Sequence, residues 1–75
     1  METLDKTAFL VRLGDNIKKI RQEKNINQAE LARRCEKDRQ AIERIENGKV
    51  NATTYSLYQI ARGLGVNMKR LTDFE

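Results

Sequence analysis

Apolar residues recur at three- and four-residue spacing from Phe9 to Leu71, and no run alternates apolar with polar as a half-buried strand would. The chain also lacks proline. This pattern points to an all-α fold. Phe9, Leu10, Leu13, Ile17 and Ile20 form the stripe of a first helix. Gly14 interrupts it at a cost of about 1 kcal/mol relative to Ala, which suits a close helix approach. Asn25 ends this helix and Ile26 plugs the turn.

Cap chemistry then divides the rest of the chain. Asn27 with Glu30 three residues on resembles a capping box, opening a second helix from Gln28 to Cys35 with Leu31, Ala32 and Cys35 inward. Asp38 caps a third helix, Arg39 to about Asn47, with Ile42 and Ile45 inward. Gly48 suits a left-handed helix stop. Thr53 caps a fourth helix, Thr54 to Leu64, whose Leu57, Ile60, Ala61 and Leu64 repeat as i, i+3, i+4, i+7. Gly65 ends it. Asn67 caps a short fifth helix running through Thr72, with Val66, Leu71 and Phe74 as apolar anchors.

Seventy-five residues allow one domain, expected over 1–75. A core this small yields only a few kcal/mol of net stability. With 39% hydrophobic and 35% charged residues, the chain is too apolar for a disordered tail and too charged for a membrane protein. The N-terminus does not read as a signal peptide, so a cytoplasmic, nucleoid-associated protein is expected. One cysteine and no histidine exclude a disulfide framework and a structural zinc site. No paired carboxylates, phosphate-binding glycine loop or nucleophile–base set is visible, so neither an enzyme nor a cofactor is expected. Cys35 reads as a buried packing residue, the alternative being a redox sensor.

The net charge of +4 is unevenly placed. Residues 18–37 hold seven Lys/Arg against three Glu, whereas 38–51 hold three of each sign. A basic balance in a small domain suggests nucleic acid, although solvated lysine faces are common. Two short helices joined by a tight turn form a helix-turn-helix, at about 28–47. At roughly 100° per residue along the third helix, Gln40, Glu43, Arg44 and Asn47 fall opposite Ile42 and Ile45. Arg39 sits on a flank at the N-terminal end, from which recognition helices contact bases. Arg suits guanine O6/N7 and Gln suits adenine N6/N7. Arg39, Gln40 and Arg44 are therefore the expected base readers; the competing reading is a merely solvated face. Glu43 can accept from a cytosine amine or pair with Arg39 four residues back, and the pairing role is preferred. Gln28, first in its helix, can meet a phosphate with its amide and side chain. Lys18, Lys19, Lys24, Arg33, Arg34 and Lys37 supply a broader field.

"NQAELARRCEKDRQAIERIENGK" resembles the lambda-repressor/Cro-like (XRE-type) helix-turn-helix family. The likeness extends from "LGDNIKKIRQEKN" through "LYQIARGLGVNMKRLTDF", about residues 9–75. It rests on Q-x-x-L-A from Gln28, I-x-x-I-E-x-G from Ile42 and L-x-x-I-A-x-x-L-x-V from Leu57. The resemblance implies a compact five-helix DNA-binding domain, a regulator (a repressor in the leading reading) acting as a homodimer on a two-fold operator of double-stranded DNA. It implies phosphate contacts from Asn27 and Gln28 and from Asn47, Gly48 and Lys49, to which Lys37 is added from the basic field. It also implies a structural ion pair between Arg21 and Glu46. Two positions depart from the family: Glu36 stands where Gly is frequent, and Lys37 where an apolar residue is. A left-handed Glu36 would cost roughly 1–2 kcal/mol. Dimer contacts are expected near the fifth helix, from Leu71, Phe74 and Tyr58. At this length no separate sensing or dimerisation domain is expected. Rival readings are an antitoxin that binds a partner toxin and autoregulates, or a restriction–modification controller.

Overall fold

Five short polar side chains start five helices. In the computed structural model, which describes residues 3–74, these are α1 (Lys6–Glu23), α2 (Gln28–Arg34), α3 (Arg39–Glu46), α4 (Thr54–Leu64) and α5 (Met68–Leu71). The expected span of 1–75 includes Met1, Glu2 and Glu75, which lie outside the described residues. Asp5, Asn27, Asp38, Thr53 and Asn67 each accept the amide three residues on, at 2.7–3.1 Å. Each thereby satisfies an N–H that the helix cannot. Cys35, Asn47 and Thr72, expected as last helical residues, serve as C-caps. The capping box is only half formed. Asn27 caps, but the Glu30 carboxylate turns outward to Arg33 and, at 2.9 Å, to Arg34. Two guanidiniums on the same helix surface outcompete one backbone amide.

The core joins all five helices through Leu13, Ile17, Ile20, Leu31, Ile42, Ile60, Leu64 and Leu71 among others. Each such side chain contributes about 1.5–3 kcal/mol before conformational entropy is set against it. Gly14 makes the α1–α3 contact possible. A Cβ there would lie 2.4 Å from the Glu46 carbonyl oxygen and 2.5 Å from that of Ile45. The end of α3 therefore rests directly on α1 backbone.

Leu71 is fully buried, which corrects its assignment to a dimer contact: burial in the monomer core removes it from any subunit surface. Phe74 is half-buried and tilted against Phe9, ring centres 5.5 Å apart. Tyr58 stays exposed beneath the Arg62 guanidinium. The α5 segment is pinned by Asn16, whose buried amide donates to the carbonyls of Arg70 at 2.9 Å and Leu71 at 2.8 Å. Among the described residues no helix is long and apolar enough to cross a membrane.

Candidate nucleic-acid interface

The turn between α2 and α3 sets their angle. Glu36 adopts φ 58°, the left-handed conformation that a glycine would enter without strain. Lys37 N–H then donates to the Ala32 carbonyl at 2.9 Å, closing α2. The Lys37 ammonium reaches Ser56 on α4 at 3.0 Å. This half-buried stem fills the position for which an apolar residue is usual, and its charge is turned toward α4.

From Asp38 the chain enters α3, whose inner side is Ile42, Ile45 and Glu46. Arg39, Gln40, Glu43, Arg44 and Asn47 are all exposed. Glu46 is 2% exposed and Arg21 only 8%. Arg21 grips that carboxylate through Nε at 2.6 Å and Nη2 at 3.0 Å, and its Nη1 donates to the Ile26 carbonyl at 2.8 Å. The pair thus joins α1, the α1–α2 turn and α3. Among the described residues, no buried side-chain nitrogen or oxygen lacks a hydrogen-bond partner.

The network continues outward. Gln28 Nε2 donates to Glu46 Oε1 at 3.1 Å. Arg39 Nη1 donates to Gln28 Oε1 at 3.3 Å and to Glu43 Oε2 at 2.9 Å. The expected pairing of Arg39 with Glu43 is therefore present. The bridging position of Gln28 is not visible in the sequence, since its partners lie 11 and 18 residues away. The residues expected to meet phosphate divide in two. Asn27 and Gln28 stand together at the start of α2. Beyond α3, the amides of Asn47, Gly48 and Lys49 donate to the carbonyls of Glu43, Ile45 and Arg44 at 3.0–3.1 Å. They close the helix end, so the groups left to reach outward are the exposed side chains of Asn47 and Lys49. Gly48 has φ 69°, and a Cβ there would meet the Val11 backbone at 2.8 Å.

Cys35 is buried, and burial pushes its thiol pKa up against the opposing pull of Lys37 and Arg34. It packs as a neutral residue under α4. No cluster of three potential metal ligands occurs among the described residues.

Comparison with known proteins places this geometry in a family. The helix-turn-helix family description HTH_3 matches residues 17–71. The chain is 37% identical over 62 residues to the control protein C.MunI from a Mycoplasma species, covering 81% of this chain and 84% of that one. Among solved structures it is similar to the restriction-modification controller protein C.Esp1396I, with 41% identity, TM-score 0.75, and coverage of 79% of this chain and 77% of that one. It is also similar to the controller C.AhdI from Aeromonas hydrophila, with 26% identity, TM-score 0.81, and coverage of 83% and 94%.

Proposed function

The chain belongs to the helix-turn-helix (HTH_3) family, a transcription regulator of the XRE type, and we propose that it is a restriction–modification controller binding a two-fold DNA operator as a homodimer. The likeness to controller proteins over most of both chains carries that role. In the sequence alone it stands only as one of two rivals to a general repressor. The reading treats residues 1–75 as one DNA-binding domain.

Each subunit sets α3 in a major groove, with half-sites about one turn, ~34 Å, apart. Arg39, Gln40 and Arg44 read base edges, and Glu43 holds Arg39. The exposed Asn27, Asn47 and Lys49 side chains and the Gln28 backbone N–H at the start of α2 meet phosphates. Gly48 shapes the loop that carries Lys49, and Lys37 adds charge from the turn. Arg21 and Glu46 brace the arrangement without touching DNA. Attraction and reading are thus divided: phosphate contacts position the domain and base contacts specify the site.

Selection of bound sequences from random duplex DNA tests this, with Arg39→Ala, Gln40→Ala and Arg44→Ala in parallel. The expected result is a two-fold motif with a discrete position losing preference in each variant, by about 1–3 kcal/mol. The motif should lie upstream of neighbouring methylase and nuclease genes. A wild-type protein with no preferred sequence at any salt concentration refutes the reading.

A further inference from the structure

We propose that Gln28 is a specificity-positioning residue, which ties the buried Arg21–Glu46 pair to Arg39 and fixes the edge of that guanidinium presented to a base. The inference rests on the reading of α3 as the base-reading helix.

The chemistry of its neighbours allows the Gln28 amide one orientation. Its inner neighbour, the ionised Glu46, only accepts hydrogen bonds, and its outer neighbour, Arg39, only donates them. The amide nitrogen therefore points to Glu46, at 3.1 Å, and the oxygen to Arg39, at 3.3 Å. The inner anchor is itself fixed, because Arg21 holds Glu46 by two parallel bonds and is held in turn by the Ile26 carbonyl. Gln28 thus transmits a position set in the core to a side chain that is exposed.

At Arg39, both contacts fall on Nη1: Gln28 on one hydrogen and Glu43, at 2.9 Å, on the other. Among the described residues, Nε and Nη2 of Arg39 make no intramolecular hydrogen bond. Their shared edge is the one by which Arg21 grips Glu46, and it offers two parallel donors. Guanine O6 and N7 are two acceptors side by side in the major groove. Without Gln28, Arg39 keeps only its solvent-exposed pairing with Glu43, a kind of contact that orders a long side chain weakly.

The test uses the intact chain and the same random-duplex selection, on Gln28→Met, Arg39→Ala and the double variant. Methionine keeps the length of the side chain and its helix propensity, but neither hydrogen bond. Gln28→Ala repeats the test should Gln28→Met not fold. Gln28→Met is expected to lose about tenfold discrimination at the base position that Arg39→Ala no longer reads, within the range of a bidentate arginine–guanine contact. The other positions keep their preference. The double variant is expected to discriminate there no worse than Arg39→Ala, because the effect runs through Arg39. Uniform weakening with that preference intact overturns the proposal, and so does a double-variant loss equal to the sum of the singles. If the wild type selects no motif, Arg39→Ala has no position to lose; that result removes the base-reading role of α3 itself.

Discussion

Replacing Arg21 by Met tests whether the buried ion pair holds α3 in place. Arg21 supplies two of the three hydrogen bonds to the Glu46 carboxylate and one to the Ile26 carbonyl. In Arg21→Met, Gln28 is left as the only described donor to a carboxylate that is 2% exposed. Breaking a buried pair from one side costs about 3–5 kcal/mol, because the remaining charge is stranded. At the usual per-residue figure a domain of this length has roughly 4–11 kcal/mol in total. The substitution therefore removes a large part of the stability. The unfolding midpoint should fall by roughly 4–8 °C per kcal/mol. Arg21→Lys keeps the charge but not the planar fork, and should fall between wild type and Arg21→Met. The double variant Arg21→Met/Glu46→Leu should be more stable than Arg21→Met alone, since an apolar pair can replace a buried ionic one at little cost. Urea titration followed by helical circular dichroism gives all four stabilities. If Arg21→Met costs under about 1 kcal/mol, the pair behaves as an exposed one and the bracing argument is wrong. Additivity of the two single changes would refute it equally.

Three further outcomes follow from other parts of the fold. Gly14→Ala places a methyl against the Glu46 and Ile45 carbonyls and should cost about 1–3 kcal/mol as overpacking; an unchanged urea midpoint would deny the close α1–α3 approach. Lys49→Ala should weaken binding to every sequence alike and flatten the salt dependence, the logarithmic slope falling by about 0.9 for each phosphate no longer neutralised; an altered base preference in the selection would contradict its phosphate role. Because burial raises the Cys35 pKa, the buried thiol stabilises the fold fully below the unfolded thiol's pKa, and that contribution is lost as pH rises through the folded one. Wild type should thus lose more stability than Cys35→Ala in alkaline urea titrations, and equal losses would refute the burial argument.

Helix number, order and starts were legible in the sequence because each rests on local chemistry: a cap residue and the apolar stripe that follows it. The outward placement of Arg39, Gln40 and Arg44 follows from helical periodicity in the same way. Partnerships across the chain were less accessible. Arg21 and Glu46 could be paired only through a family resemblance. Asn16 lies on the buried side of α1, where an amide must find partners, but nothing local names Arg70 and Leu71, 54 and 55 residues on. Glu30 shows competition among local partners: its spacing from Asn27 fits a capping box, yet Arg33 and Arg34 take the carboxylate. Leu71 shows the limit of pattern reading at a short helix, where core and subunit surface cannot be told apart by one apolar residue.

These pairings also change how the charge distribution is understood. The strongest positive segment, residues 18–37, includes Arg21, which is buried against Glu46, and Arg33 and Arg34, which share Glu30. Lys37 is turned toward Ser56. Its long-range attraction for a polyanion therefore comes chiefly from Lys18, Lys19 and Lys24, exposed on α1 and its cap. In α3 the opposite holds: every acid has a partner inside the fold. Asp38 caps Ala41, Glu43 holds Arg39 and Glu46 is clamped by Arg21. Arg44 has no intramolecular acceptor among the described residues, and Arg39 keeps one donor edge. A helix of nearly balanced formal charge can thus present an excess of hydrogen-bond donors at its outer face. Formal charge sets attraction at a distance, whereas the donors left unpaired in the fold set what is read on contact.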